Sequence, residues 1–476
     1  MAFHTLPPSR RAVIQAMSAA LLPSAKAGAA TPVSVPAPRR AEADQLRKYA
    51  ETTHPRGWIA ATDPAWRSGW DRLAAEADAM TPEAYLMGLQ ARLAWFRDGH
   101  TTMYVDGRVG PNGMIKAPGF DLTLPIVATP FFDGLYVTAA KGEGAPLLGA
   151  RIARVDGVAI EEVLRSFAAM WPGNNPTRAH HDADFILRPA VLRGARLAAP
   201  AGVSAPVTVE AEIGGSLVKA VLIPRPDARE AQQNMSTWWI PISPRPDARE
   251  ALVPLPRKPF PIETWRPGPA PNFVHAEGRV LVIAFDKLFA SKDSILAFVR
   301  EAFAAMEDPA IERVVLDLRR NDGGDNRMGE GLRKHLERSR FNRPGGLYVL
   351  IGPHTFSAAQ NLTSRIERET WAVFVGEPSG GAPNHQGDAR PFQGDGFSAF
   401  VSTLPWFDSH PYDKRIWTMP DVMVPLRFAD WTAGRDQAME AAFAHVNDQP
   451  LDDLSEQHTA YSERPSQKAE WKPFWI

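Results

Sequence analysis

Hydrophobic positions along this chain change their period twice. Between Ala41 and Asp98 they recur every three to four residues, as in Trp66, Trp70, Leu73 and Ala74, and again in Tyr85, Leu86, Leu89, Leu93 and Phe96. That spacing predicts helices with one buried face. Ala41 to Thr52 reads as the first helix. Asp63-Pro64 opens a second and Thr81-Pro82-Glu83 a third, since proline suits the first helical turn and threonine caps it. Arg97-Asp98-Gly99 stops the third helix and leaves His100 just beyond it. From 119 to 223 the period shortens to two. Leu122, Leu124 and Ile126 alternate, Leu135 to Thr138 forms a strand, and Val207 to Ile213 and Val218 to Ile223 flank Gly214-Gly215. From Asn272 the strands become unbroken apolar runs, at Val280–Phe285, Arg313–Leu318, Tyr348–Ile351 and Ala372–Val375. Helical patterns at Ile295–Met306, Met328–Leu336, Ala358–Glu369 and Asp436–Val446 separate or follow them. Strands buried on both faces and alternating with helices predict an α/β domain built on crossovers.

These shifts divide the chain into a helical domain at 31–118, a β-rich module at 119–223 and an α/β domain at 272–447. Residues 224–271 are Pro-rich and read as an exposed linker. Within it Pro224–Ala231 recurs as Pro244–Ala251, two copies being too few for a solenoid, and Trp238-Trp239 is an apolar pair able to pack on a neighbour. Residues 448–476 read as a loose polar tail with an apolar end, Trp471 to Ile476. Residues 1–30 have the layout of an export signal: Ser9-Arg10-Arg11, an apolar run from Ala12 to Leu22, then Ala25-Lys26-Ala27. The paired arginines resemble a twin-arginine signal, so export to the periplasm or the cell exterior is expected.

The 476 residues and 44% hydrophobic content suffice for a sizeable core. A net charge of -1 gives no field for nucleic acid or an anionic membrane surface. No stretch approaches the roughly 18 consecutive apolar residues of a membrane span. The absence of cysteine rules out disulfides, thiolate metal sites and cysteine nucleophiles.

Candidate chemistry centres on Ser357, at the corner between the apolar run Leu347–Ile351 and the helix from Ala358. A serine there exposes its hydroxyl beside backbone N–H groups at a helix start, which favour a developing oxyanion. The same letters, Ser357-x-x-Gln360, also fit a capping box in which the serine only caps the helix. Asn321-Asp322-Gly323-Gly324 follows a buried strand and offers N–H groups with no Cβ in the way. His100, in a Gly-His-Thr turn, supplies a base, or else a turn histidine bonded to the helix end. Nucleophile, oxyanion hole and base together are what acyl transfer needs. His180-His181-Asp182-x-Asp184 has a metal-like composition, but adjacent histidines face different ways, and no metal site is assigned.

Leu316–Gly324, Thr355–Gln360, Val375–Gly381, Pro420-Asp421-Val422 and Gly434-Arg435-Asp436 together resemble the signature of the tail-specific, or C-terminal processing, serine peptidases. Asp98-Gly99-His100-Thr101 resembles the histidine motif of that family's tricorn-like branch. The resemblance covers most of residues 41–447 and implies a crotonase-like (ClpP/crotonase) ββα core behind a helical bundle and a PDZ-like module. It further implies an exported serine-type peptidase acting on peptides or proteins, without cofactor. The Ser-Lys branch would need a lysine where this chain has Ala382, so the base implied is His100. Ser357 is then the nucleophile, Asp413 the nearest candidate for the acidic partner, and Gly323 or Gly324 with Ala358 the oxyanion hole. Gly380, Gly381 and His385 are the expected substrate contacts. The module lacks an obvious carboxylate-binding loop. The alternatives are a catalytically inactive ligand-binding protein on the same fold and an acyl-CoA enzyme on the same core.

Overall fold

The computed structural model describes residues 38–104, 109–110, 113–114, 119–120, 122–198, 200–226, 252–268, 270–288, 291–445 and 471–476. The expected export signal and the centre of the Pro-rich stretch, including Trp238 and Trp239, lie outside the described residues.

The α/β region is a six-stranded sheet in the order Phe273–Glu277, Val280–Ala284, Arg313–Asp317, Leu347–Ile351, Val373–Gly376, Val422–Met423. The first strand is antiparallel to the second, and all later pairings are parallel. Alternate side chains of one strand serve two cores. Val314, Leu316, Val349 and Ile351 pack under the helices Lys292–Met306, Asn326–Arg338 and Ala358–Glu369. Val315, Tyr348, Leu350 and Val375 pack on the opposite side with Phe260, Trp431 and Met439. Burial on both faces explains why these strands read as unbroken apolar runs.

The helices of the N-terminal region start as their caps dictate. Asp63 accepts from Ala65 N at 2.6 Å with Pro64 following, and Thr81 accepts from Ala84 N with Pro82 following. Trp66 is their packing centre, its ring 5.4 Å from Trp70 and 5.0 Å from Phe96. The β-rich module is a seven-stranded antiparallel sheet that includes Gly134–Ala140, Arg151–Val155, Val207–Ile213 and Ser216–Leu222.

The C-terminal end of the Pro-rich stretch is not exposed linker. Val253–Pro254 adds a strand to the antiparallel sheet, and Phe260 and Ile262 are buried against the six-stranded one. Apolar side chains there draw the backbone into the core. The apolar end of the tail also docks: Trp471 and Trp475 are buried, and Trp475 Nε1 donates to His180 Nδ1 at 3.0 Å.

A third, three-stranded sheet positions the site. Thr102–Tyr104, just after His100, pairs antiparallel with Phe397–Val401, which pairs in turn with Arg390–Gly394. Gln90 of the third helix clamps the first strand, accepting from Met103 N at 2.9 Å. The N-terminal helices are thereby joined through backbone hydrogen bonds to a hairpin of the C-terminal region. No helix among the described residues is long and apolar enough to cross a membrane.

Two expected outcomes follow from this packing. Trp66→Ala, which empties the packing centre, should lower stability by about 3–5 kcal/mol, read as a lower denaturant midpoint. Glu377, at the end of strand Val373–Gly376, is pushed up to about 7 by burial, against hydrogen bonds from Leu426 N–H and Trp471 Nε1. Its folded pKa lies above the unfolded value, so stability falls as pH rises from the ordinary carboxylate range to about 7. Glu377 is partly accessible, which trims the loss to about 1–2 kcal/mol. Denaturant midpoints at pH 5 and pH 8 should converge in Glu377→Gln.

Candidate active site

The nucleophile turn is built from its backbone outward. Strand Leu347–Ile351 ends at Gly352, and Thr355 ties the turn down: its hydroxyl accepts from Gly352 N at 3.1 Å and donates to Leu318 O at 3.0 Å. Ser357 then has φ 54° and ψ −127°, a region that costs a side-chain-bearing residue roughly 1–3 kcal/mol. A capping serine sits in the β region and bonds the helix; this one makes no capping hydrogen bond. The other half of the capping box is missing too, since Gln360 Oε1 accepts no hydrogen bond among the described residues while its Nε2 donates to Ser364 Oγ and Thr418 Oγ1. The capping reading is therefore set aside. The strained turn aims the hydroxyl away from the helix, 2.8 Å from His100 Nε2, across 257 residues of sequence.

His100 is carried by the turn that ends the third helix. Arg97 adopts φ 47°, and Asp98 Oδ1 accepts from His100 N at 3.0 Å, a side-chain turn closed on its own backbone. The same oxygen lies 3.7 Å from His100 Nδ1, too long for a hydrogen bond but close enough for a strong charge effect. Oδ2 accepts from Ser402 Oγ at 2.6 Å and Thr101 Oγ1 at 2.7 Å. His54 Nδ1 accepts from Arg56 N, which assigns the proton to Nε2, and Nε2 faces Asp98 Oδ2 at 3.4 Å. Burial alone would raise the Asp98 pKa; contacts from His100, His54 and Ser402 outweigh it and hold the carboxyl below its usual range. An ionised carboxylate thus faces the base from the side opposite the serine.

Gly323 packs directly on the nucleophile. A Cβ on it would lie 2.5 Å from Ser357 Cβ and 2.8 Å from Ala358 N, and its φ is 105°. Its own N–H donates to Asn321 Oδ1 at 3.0 Å, so it is already spent. The N–H groups of Gly324 and Ala358 have no acceptor among the described residues. Of the oxyanion donors expected from sequence, these two are the ones left available, and Gly323 serves by having no side chain.

Other expected residues lie elsewhere. Both carboxylate oxygens of Asp413 are taken by Arg415 and Ser409, so it is not the partner of His100; Asp98 holds that place. Gly380 and Gly381 are not open to substrate. A Cβ on Gly380 would lie 2.1 Å from Pro353 O and one on Gly381 2.8 Å from Gln360 Cβ, so both brace the nucleophile turn from beneath. His385 is 4% exposed and buried beside His100, its ring centroid 5.5 Å away on a nearly parallel plane, with its Nδ1 3.0 Å from Ala382 O. Burial, with His100 next to it, pushes its pKa down to about 4, so it is neutral. The metal-like cluster is a hydrogen-bonded chain instead: His181 bridges Asp182 at 2.6 Å and His354 at 2.8 Å. Asp436, in the last quoted motif, is structural: it pairs with Arg319, which also holds Asp317 at the end of its strand. His54 and Asp98 were missed as site residues. The signal available was Asp98 two positions before His100, the spacing of a side-chain turn.

This constellation holds a hydroxyl in contact with an imidazole, a carboxylate behind that imidazole, and two unspent N–H groups beside the serine. It is equipped for nucleophilic attack on a carbonyl carbon.

No protein-family model matches the sequence, and no curated protein matches it either. Among solved structures, mature CPAF complexed with lactacystin superposes with a TM-score of 0.53 at 10% identity, over 85% of this chain and 97% of that one. Mature CPAF gives 0.51 at 11% identity, over 85% and 95%. The photosystem II D1 C-terminal processing protease aligns over 85% of this chain and 99% of its own, at 14% identity and a TM-score of 0.35. At such identities the likeness is one of fold, and it runs through almost the whole described chain. The chain has the α/β fold of mature CPAF.

Proposed function

We propose that this chain is an exported serine-type peptidase that hydrolyses peptide bonds through an acyl-enzyme. The observation that carries the reading is the 2.8 Å contact between Ser357 Oγ and His100 Nε2, made by a serine in a strained turn with no capping bond. His100 takes the Ser357 proton as the hydroxyl oxygen attacks the substrate carbonyl carbon. The oxyanion is held by the N–H groups of Gly324 and Ala358. His100 then returns the proton to the leaving amine, and a water deprotonated by the same imidazole releases the acyl group. Asp98 stabilises the imidazolium that forms in each half-reaction. The six-stranded domain is read as a crotonase-type core, the seven-stranded module as PDZ-like, and the Ser-His pair as that of the tricorn-like branch. The resemblance of the quoted motifs to those of the tail-specific peptidases supports a peptide or protein substrate. The layout of residues 1–30 supports export by a twin-arginine route.

A fluorophosphonate probe should label the wild-type protein at Ser357 and leave Ser357→Ala unlabelled. Loss of peptide hydrolysis should accompany that loss of label. A folded wild-type protein that neither labels nor cleaves any peptide library would point to the inactive ligand-binding alternative. His100→Ala should lower kcat/KM by about 10³-fold or more. Asp98→Asn should cost less, about 10–100-fold in kcat, because a charge beyond hydrogen-bond distance acts through its field.

A further inference from the structure

The carboxylate does not fix the plane of the base. Asp98 Oδ1 is 3.7 Å from His100 Nδ1, and its short hydrogen bonds go to Thr101, Ser402 and the His100 backbone. An imidazole held only by that charge would be free to rotate about its Cβ–Cγ bond, since this torsion has broad wells. Yet Nε2 points at Ser357 Oγ.

The ring is instead flanked by two rings on nearly parallel planes. Phe356, the residue before the nucleophile, lies 4.5 Å from the His100 ring centroid at an interplanar angle of 23°. His385 lies 5.5 Å away on a nearly parallel plane, at 11°. Each flanking ring is fixed in turn. Phe356 packs so closely on the turn of the base that a Cβ on Gly99 would come within 2.6 Å of its Cζ. The Arg178 guanidinium, paired with Asp182 at 3.0 Å, sits 4.9 Å from the Phe356 ring centroid. A carbonyl oxygen only accepts, so the contact of His385 Nδ1 with Ala382 O assigns its proton to Nδ1 and fixes its ring. A neutral ring facing His100 also tolerates the imidazolium formed during catalysis, which a second imidazolium would repel.

We infer that Phe356 and His385 form an aromatic clamp that positions His100, setting its ring plane for proton transfer with Ser357. The inference rests on the Ser-His reading above. Phe356 and His385 are positioning residues, and His385 contributes ring area rather than a proton. Nucleophile and clamp are adjacent in sequence on one side, so a shift of the Ser357 turn moves the base with it.

Four variants test this: Phe356→Leu, Phe356→Tyr, His385→Ala and His385→Phe. Each is assayed for fluorophosphonate labelling rate, for kcat and KM on a peptide cleaved by the wild type, and for thermal midpoint. The clamp predicts a fall of about 10–100-fold in kcat and labelling rate for Phe356→Leu and His385→Ala, with KM nearly unchanged, as expected for a misaimed base. It also predicts recovery of most of that loss when an aromatic ring is restored, in Phe356→Tyr and His385→Phe. The His385 pair lies outside the nucleophile turn and keeps the test open should Phe356→Leu fail to fold. His385→Phe as slow as His385→Ala would overturn the proposal, since the imidazole itself would then be needed. Equal labelling rates in all folded variants would overturn the clamp and leave the Ser-His reading standing. A wild-type protein that never labels removes both.

Discussion

The short antiparallel pairing of Thr102–Tyr104 with Phe397–Val401 is the constraint on which the site depends. A hydroxyl is a poor nucleophile without a base in contact, and here the histidine in contact with Ser357 comes from a different part of the chain. Helix packing alone would not set a side chain to within a few tenths of an ångström. Backbone hydrogen bonds do, because the register of a strand pair is discrete. Ser402, one residue past the strand, bonds Asp98, so the same pairing also delivers part of the carboxylate's shell. Gln90 anchors the strand from the helical side. The site is thus a property of the joint between regions rather than of any one of them.

Around that joint the polar groups sort by purpose. The Asp98 oxygens are occupied by hydroxyl and N–H donors, which keep the charge in place and drain little of it into a proton-sharing bond with His100. The glycines near the serine are used for close approach. Gly323, Gly380 and Gly381 each admit backbone or side-chain atoms at distances no Cβ would allow. The strain at Ser357 is held by that packing and by the Thr355 hydroxyl, so the turn is over-determined, as a stable outlier must be.

Much of this was legible beforehand, and the part that was not has a physical reason. Continuous apolar runs identified the parallel strands because a strand buried on both faces needs them. The helix starts at Pro64 and Pro82 were legible because capping is local chemistry. Ser357, His100 and the Gly-Gly turn stood out for the same reason, each being a short motif at an element's edge, and the structure brings the first two into contact. Asp98 was hidden in plain view. It belongs to the histidine's own turn, and its role appears only when Ser402 and His54 converge on it from distant segments. The hairpins between Asn384 and Phe407 gave no pattern because their strands are only four or five residues long and carry glycine, proline and isolated aromatics. The packed C-terminal end of the Pro-rich stretch was masked by composition, since Phe260 contributes more to its placement than the surrounding prolines do.

The joint also sets an order of events. A chain made from its N-terminus carries His100 early and Ser357 late, yet the strand that draws them together is later still. A growing polypeptide that already contains both reactive side chains therefore has no assembled pair until residues 397–401 have emerged and seated. On the proposed reading, hydrolytic competence is in this way tied to completion of the fold, and a nascent chain is spared its own chemistry.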